Sequence, residues 1–124
     1  MKEIAIVFAG GGLGAAARFW MSSAVHRFAA SSFPFGTLSV NALGCLLAGF
    51  LMSIFAERFL VSPNLGLFLM LGFLGGFTTY STFSYETIEL IRTGQSFHAF
   101  SNVAYTTLLC LAATWLGSVI GKMF

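Results

Sequence analysis

Four long apolar segments constrain this chain more than any other feature of its sequence. They cover residues 4–25, 38–56, 65–91 and 100–121, and each is long enough to cross about 30 Å of hydrocarbon as a helix. Short connections with turn residues separate them: "HRFAASSFPFGT", "ERFLVSPN" and "RTGQSFH". The sequence therefore predicts an all-α membrane protein with one domain, residues 1–124, and four transmembrane helices.

The composition indicates that the membrane is the solvent. Charged residues make up 8% of the chain and hydrophobic ones 57%, whereas a soluble protein this small needs more polar surface to cover its core. The net charge of +2 comes from scattered basic residues, which argues against a nucleic-acid partner. The sequence has no metal-ligand spacing and no nucleophile–base pair, so an enzyme is not expected. Cys45 and Cys110 lie in apolar runs and are interpreted as small buried residues.

The charges flanking the segments do not decide the orientation of the chain. If both termini are cytoplasmic, that side carries Lys2, Arg58 and Lys122, and the far side carries Arg27 and Arg92. This difference gives almost no bias under the positive-inside rule. Two explanations stay open: the bias is too small to predict, or both orientations are made and pair as an antiparallel dimer.

The third segment is too long and too polar for one simple helix. As a continuous helix, residues 65–91 would extend about 40 Å, which exceeds the hydrocarbon thickness. The stretch "GFLGGFTT" combines poor and modest helix formers, so the third helix is predicted to be broken near its middle. The backbone groups freed by a break need partners inside protein or beside water, and such breaks commonly form ion sites.

Residues 78–84, which follow the predicted break, are rich in short hydroxyl side chains. They occupy five of seven positions: Thr78, Thr79, Ser81, Thr82 and Ser84. Hydroxyls that bond to carbonyls of their own helix would explain one or two of them. In the fourth segment Asn102, Thr106 and Cys110 recur every four residues, on one stripe of a helix. The pattern indicates a narrow polar pathway.

Three further polar residues lie within the apolar segments. Asn41 is in the second, Arg18 in the first and Glu86 in the third. Ionisable groups inside a span are functional candidates, although Arg18 could snorkel to the interface and Glu86 could face water. Hydroxyl and amide donors together with aromatic ring edges suit a small anion better than a large organic cation.

At "GGGLGAAARF", "GTLSVNALG" and "GFLGGFTTYSTFSYET" the chain resembles the Fluc family of fluoride channels, also called CrcB proteins. The resemblance covers essentially the whole length. It implies an antiparallel, dual-topology homodimer, multi-pass in the lipid of the cell inner membrane, that exports fluoride passively and gives resistance to fluoride toxicity. It also implies a structural Na⁺ at the dimer centre, held by the backbone carbonyls of Gly75 and Thr78 of both subunits.

The resemblance also implies which side chains serve the ion. Asn41 matches a pore-facing asparagine, and Phe83 matches one of two phenylalanines that offer ring edges. The implied fluoride pathway comprises Asn41, Tyr80, Ser81, Thr82, Phe83, Glu86, Asn102, Thr106 and Cys110. Arg18 matches a basic residue beside a vestibule. The chain departs from the family pattern "TTFSTF" with "TTYSTF", and we expect Tyr80 to be tolerated because it keeps the ring edge.

Two other functions are compatible with four small spans. A small multidrug exporter uses a membrane-embedded glutamate in its first span, but that span here has Arg18 and no acid beyond Glu3. A non-transporting assembly subunit would use its polar residues to bond a larger partner. Co-purification of such a partner would favour that function, and a stable homodimer would weaken it.

Overall fold

The computed structural model describes residues 1–58 and 61–124 as a set of packed helices. Four helices are long and apolar enough to cross a membrane: Lys2–Phe28, Phe35–Glu57, Pro63–Arg92 and Ser96–Lys122. The prediction of an all-helical chain with four such spans is confirmed. Each helix extends beyond the apolar segment that predicted it, because polar residues can continue a helix into the interfacial region. The predicted connection "ERFLVSPN" includes residues 59 and 60, which lie outside the described residues.

The spans are divided into elements by changes in backbone geometry. They are α1 (Lys2–Phe28), α2 (Phe35–Glu57), α3 (Pro63–Gly66), a π-helical segment (Leu67–Leu74), α4 (Gly75–Phe77), α5 (Tyr80–Arg92) and α6 (Ser96–Lys122). Local sequence signals set several ends. Pro34 immediately precedes α2, and the Ser62 hydroxyl caps α3 by accepting from the Leu65 N–H at 3.2 Å. Gly94 follows α5 with φ +80°, a left-handed conformation that glycine adopts readily.

The third span leaves helical geometry near the middle of its length. Thr78 has φ −82° and ψ 157°, and Thr79 has φ −150° and ψ 120°. Both residues are therefore extended, between the end of α4 and the start of α5. Extended residues do not continue the helical hydrogen-bond ladder, so other groups must serve their N–H and C=O in an apolar environment.

Glycines bring α1 into backbone contact with the third span. A Cβ atom built on Gly10 would lie 2.5 Å from the Phe68 carbonyl oxygen and 3.0 Å from the Gly72 Cα. A Cβ on Gly14 would overlap the Phe73 carbonyl, and one on Gly76 would overlap the Gly11 carbonyl. Small residues thus allow the two backbones to touch, as they do at many helix contacts in membranes.

The second and fourth spans run parallel and also touch through glycines. A Cβ on Gly117 would overlap the Leu46 carbonyl, and one on Gly121 would lie 2.7 Å from the Phe50 carbonyl oxygen. The contact therefore advances by four residues on α2 as it advances by four on α6, which is the pattern of parallel helices. A Cβ on Gly49 would likewise overlap the carbonyl of Thr114. This register decides which polar side chains of α2 and α6 face each other.

Candidate functional site

Asn41 on α2 pairs with the extended backbone of the third span. Its Nδ2 donates to the Thr79 carbonyl at 2.9 Å, and its Oδ1 accepts from the Thr79 N–H at 2.8 Å. Asn41 is 8% exposed and Thr79 is 9% exposed. The Asn41 amide therefore bonds the two backbone groups of Thr79 that helical hydrogen bonds would otherwise satisfy. For this reason an extended Thr79 is tolerated inside the span.

The Thr79 side chain caps the helix that follows. Its hydroxyl accepts from the Thr82 N–H at 3.2 Å and donates to the Thr82 hydroxyl at 3.0 Å. The Ser81 hydroxyl lies 3.3 Å from the same oxygen. Threonine is a favoured N-cap because its oxygen serves an N–H that begins the helix without a partner. The positive end of the α5 dipole is thus placed among hydroxyl groups within the span.

Two carbonyls beside Thr79 lose their ordinary helical donors. In a continuous helix the Thr79 N–H would donate to Gly75 and the Thr82 N–H to Thr78. Here those two N–H groups donate to the Asn41 and Thr79 side chains. The Thr78 carbonyl instead accepts from Arg18 Nη1 at 3.4 Å. Gly75 is exposed, and nothing within the described residues would contact a Cβ there closer than 4.0 Å.

A first cleft, which we call the Arg18 cleft, lies between α1, α2 and the start of α5. It has a volume of about 350 Å³ and is lined by Ala15, Arg18, Phe19, Ser22, Ser23, Thr37, Val40, Thr79 and Thr82. Arg18 is half-buried and is the cationic side chain of this lining. A guanidinium together with hydroxyl donors makes the cleft suitable for an anion.

A second cleft, which we call the Asn41 cleft, lies on the other side of Thr79. It has a volume of about 480 Å³ and is lined by Asn41, Cys45, Thr78, Thr79, Tyr80, Phe83, Val103, Thr106, Thr107, Cys110 and Leu111. Five of the nine predicted pathway residues meet here: Asn41, Tyr80, Phe83, Thr106 and Cys110. Thr79 lines both clefts, so the two spaces approach each other at the extended residue.

The two aromatic rings of this region differ in burial. The centroids of Tyr80 and Phe83 are 5.4 Å apart, and the ring planes are inclined by 51°. Phe83 is buried, whereas Tyr80 is 79% exposed. Tyr80 therefore points largely away from the other helices of its own chain.

Asn102 lies behind the Asn41 cleft and is 1% exposed. Its Nδ2 donates to the Thr87 hydroxyl at 2.9 Å, and its Oδ1 accepts from the Thr106 hydroxyl at 3.3 Å. The Thr87 hydroxyl donates in turn to the Phe83 carbonyl at 2.7 Å. This chain of hydrogen bonds connects α6 to α5 and fixes the position of the helix that carries Phe83.

Glu86 is connected to α2 through a hydroxyl. Thr37 Oγ1 donates to Glu86 Oε1 at 2.8 Å. Among the described residues, Glu86 Oε2 is buried without a hydrogen-bond partner. Glu86 and His26 both line a third space of about 280 Å³ near the end of the bundle. Glu86 is therefore held to α2 by one carboxylate oxygen only.

The predicted residues thus fall into separate groups. Five line the Asn41 cleft, Arg18 and Thr82 line the Arg18 cleft, and Glu86 lies in the third space. Ser81 is exposed next to Thr79, and Asn102 is buried behind the clefts.

The structure brings into the site four residues for which the sequence predicted no individual role: Thr37, Cys45, Thr79 and Thr87. A threonine directly before a helix, such as Thr79, is a signal for an N-cap. Cys45, interpreted as buried, is half-exposed to the cleft, as is Cys110. The cleft beside both cysteines depends on the register of α2 against α6. Neither apolar segment taken alone predicts that register.

Known proteins similar to this chain match almost its whole length. The family model described as CrcB-like protein, Camphor Resistance (CrcB), matches residues 5–118. A relative in Dehalococcoides mccartyi named "Fluoride-specific ion channel FluC" is 42% identical over 123 residues, which cover 99% of this chain and 95% of the relative. Relatives of the same name in Geobacter sulfurreducens and Magnetococcus marinus are 44% and 43% identical, each match covering 98% of both chains.

Proposed function

This chain belongs to the CrcB family, and we propose that it is a fluoride-selective channel whose ion passes along the two clefts that meet at Thr79. The full-length relatives are named fluoride-specific ion channels, which supports this function for the chain. The observation that carries the pathway is the placement of two clefts, each with polar side chains in its lining, on either side of one extended residue inside a membrane span.

Fluoride is small and strongly hydrated, so a narrow pathway has to replace its water with good donors. The Arg18 cleft offers the guanidinium together with the hydroxyls of Ser22, Ser23 and Thr82. The first N–H groups of α5 add positive potential at Thr79. In the Asn41 cleft the second N–H of the Asn41 amide continues the donors, since the first is bonded to the Thr79 carbonyl. The ring edges of Phe83 and Tyr80 carry the positive end of the aromatic quadrupole and extend the pathway for an anion.

The channel is an antiparallel, dual-topology homodimer in this proposal. Tyr80, Ser81, Thr82 and Gly75 are all exposed in a single chain, although they lie near the middle of the third span. Lipid tails could not satisfy hydroxyls and a carbonyl there, whereas a second copy could cover them. The near balance of basic residues on the two sides supports insertion in both orientations.

The interruption at Thr78 and Thr79 is, in the same proposal, the functional break of the third span, and it holds a structural Na⁺ at the dimer centre. The Thr79 and Thr82 N–H groups are engaged by side chains, so they are not available to the Gly75 and Thr78 carbonyls. Carbonyl oxygens are suitable ligands for a hard cation, although Arg18 competes for the Thr78 carbonyl. Purification with a bulky organic cation in place of sodium should lower the thermal unfolding temperature of the dimer. An unchanged unfolding temperature would count against the ion.

Passive fluoride efflux through a multi-pass protein of the cell inner membrane would give resistance to fluoride toxicity. The CrcB family is a channel family and not an enzyme class. A multidrug exporter is not favoured, because the first span has Arg18 where an exchanged proton would need a carboxylate. An assembly subunit is not favoured either, since the relatives matched over their full length are named as channels.

The test is ion efflux from liposomes that contain the purified protein. Vesicles are loaded with fluoride or with chloride, and the released ion is followed with a selective electrode. We expect rapid loss of fluoride and retention of chloride. Equal loss of both ions, or no fluoride loss from a folded dimer, would refute the proposal.

A further inference from the structure

Two thiols face each other across the parallel helices α2 and α6. Cys45 and Cys110 are both free and half-buried, and both line the Asn41 cleft. The implied fluoride pathway includes Cys110, whereas Cys45 has no part in it.

The register of the two helices explains why these thiols meet. Gly49 touches the Thr114 backbone, and Cys45 and Cys110 each lie four residues earlier on the same helix. The helices are parallel, and residues four apart lie on the same face of a helix. Cys45 and Cys110 therefore face each other one turn before the contact between Gly49 and Thr114. One more turn back, the cleft is lined by Asn41 and Thr106. The backbone register therefore places the two cysteines at facing positions of α2 and α6.

We propose that Cys45 and Cys110 together bind one soft divalent d¹⁰ cation of the mercuric type. Thiolates are the ligands that soft metal ions select, and such an ion is satisfied by two sulfurs in a linear arrangement. Each thiol releases one proton as its sulfur bonds the ion, so two protons leave and two metal–sulfur bonds form. The resulting bis-thiolate complex has no net charge.

The neutral charge matters because the pair lies near the middle of both helices. A complex with net charge would be costly to desolvate at that depth, and two thiolates around a monovalent soft ion would keep one negative charge. Zn²⁺ would need about four ligands, and the described residues contain no group of three or more His, Cys, Asp or Glu side chains that could hold a metal. The site therefore favours a two-coordinate divalent ion.

Binding can be tested on the reduced, full-length protein in detergent with mercuric ion as the probe. Bound mercury is counted by elemental analysis after desalting against increasing concentrations of a competing monothiol. We expect one ion per chain in the wild type. Cys45→Ser and Cys110→Ser should each release the ion at a roughly 100-fold lower competitor concentration, because the second sulfur binds intramolecularly. Size-exclusion elution of the dimer verifies that the variants are folded.

Two ions per chain, or equal retention by the wild type and both single variants, would show independent thiols and overturn the proposal. A pair formed between two copies would also give one ion for two thiols. If such a pair joins like cysteines of the two copies, at least one single variant would retain an ion at wild-type affinity, and this result would likewise contradict a site made of Cys45 and Cys110.

The consequence for transport rests on the proposed function, whereas the binding itself does not. An ion held between α2 and α6 would obstruct the Asn41 cleft, so mercuric ion should stop fluoride efflux from liposomes and a dithiol chelator should restore it. In the presence of a competing monothiol at a concentration that the wild-type block withstands, Cys45→Ser should resist the block. Binding of one ion per chain with unchanged wild-type efflux would leave the site intact and refute the Asn41 cleft as the fluoride path.

Discussion

The side-chain amide of Asn41 bonds both the N–H and the C=O of Thr79, at 2.8 and 2.9 Å. A side chain of the second span thus replaces the helical backbone hydrogen bonds at one residue of the third span. The same residue lines the cleft that continues from Thr79. The Asn41 amide therefore has two roles in the proposal. It holds the extended backbone of Thr79 in place, and it lines the cleft that we assign to the ion.

Replacing Asn41 should affect stability and conduction together. Asn41→Ala leaves two buried backbone groups of Thr79 without partners, which costs about 2 kcal/mol. We expect a lower thermal unfolding temperature, and fluoride efflux reduced at least tenfold, equivalent to about 1.4 kcal/mol in the barrier. Asn64→Ala, at an exposed position of α3, is the matched control and should change neither. Wild-type efflux in Asn41→Ala would mean that this amide is dispensable.

The glycine contact between α1 and the third span should be sensitive to a single methyl group. A Cβ on Gly14 would overlap the Phe73 carbonyl, whereas a Cβ on Gly12 would meet nothing within 4 Å among the described residues. Gly14→Ala should therefore destabilise the protein by about 2 kcal/mol. Gly12→Ala should be neutral or stabilising by up to about 1 kcal/mol. Thermal unfolding in detergent measures both, and equal effects would show that the contact is not tight.

The number and position of the spans can be predicted from the apolar segments. The transfer of about 20 apolar residues from water to hydrocarbon dominates the free energy of inserting each helix into the membrane. The glycine contacts were also predictable in kind, since Gly10 and Gly14 repeat at the spacing that small residues use in membranes. What could not be predicted is which residues become extended. "GFLGGFTT" contains several candidates, and the choice of Thr79 depends on Asn41, which lies 38 positions earlier.

The candidate site was predictable only as a set of polar residues. The sequence placed Asn102 and Cys110 on one stripe of the fourth helix, yet Asn102 is buried behind Thr87 while Cys110 lines the cleft. A helix of 27 residues turns its stripe relative to its neighbours along its length. Whether a residue of this stripe lines the Asn41 cleft or lies behind it is therefore determined by the packing of α6 on α2 and α5.

Tyr80 should be tolerated in the pathway. Its ring lies 5.4 Å from that of Phe83, and its hydroxyl is on a side chain that is 79% exposed in one chain. We expect Tyr80→Phe to keep fluoride efflux within about threefold of the wild type, a change of less than 1 kcal/mol in the barrier. A gain of tenfold or more would identify the native hydroxyl as an obstruction.

Both orientations of the chain should be present in the membrane. Ser31→Cys, in the exposed connection between α1 and α2, can be introduced with Cys45→Ser and Cys110→Ser so that it is the only thiol and the charge is unchanged. A membrane-impermeant thiol reagent applied to sealed vesicles should label about half of the chains, because the flanking charges give no bias. Labelling of nearly all or nearly none would mean one orientation and exclude the antiparallel dimer.

Selectivity for fluoride over chloride can be read from the zero-current potential of the channel. The purified protein is inserted into a planar bilayer with a fluoride-rich solution on one side and a chloride-rich solution on the other. We expect a potential at the value set by the fluoride gradient, since the donors of the proposed pathway at Thr79 would replace the water of fluoride and chloride would not pass. A potential near zero, or one that follows the chloride gradient, would contradict it.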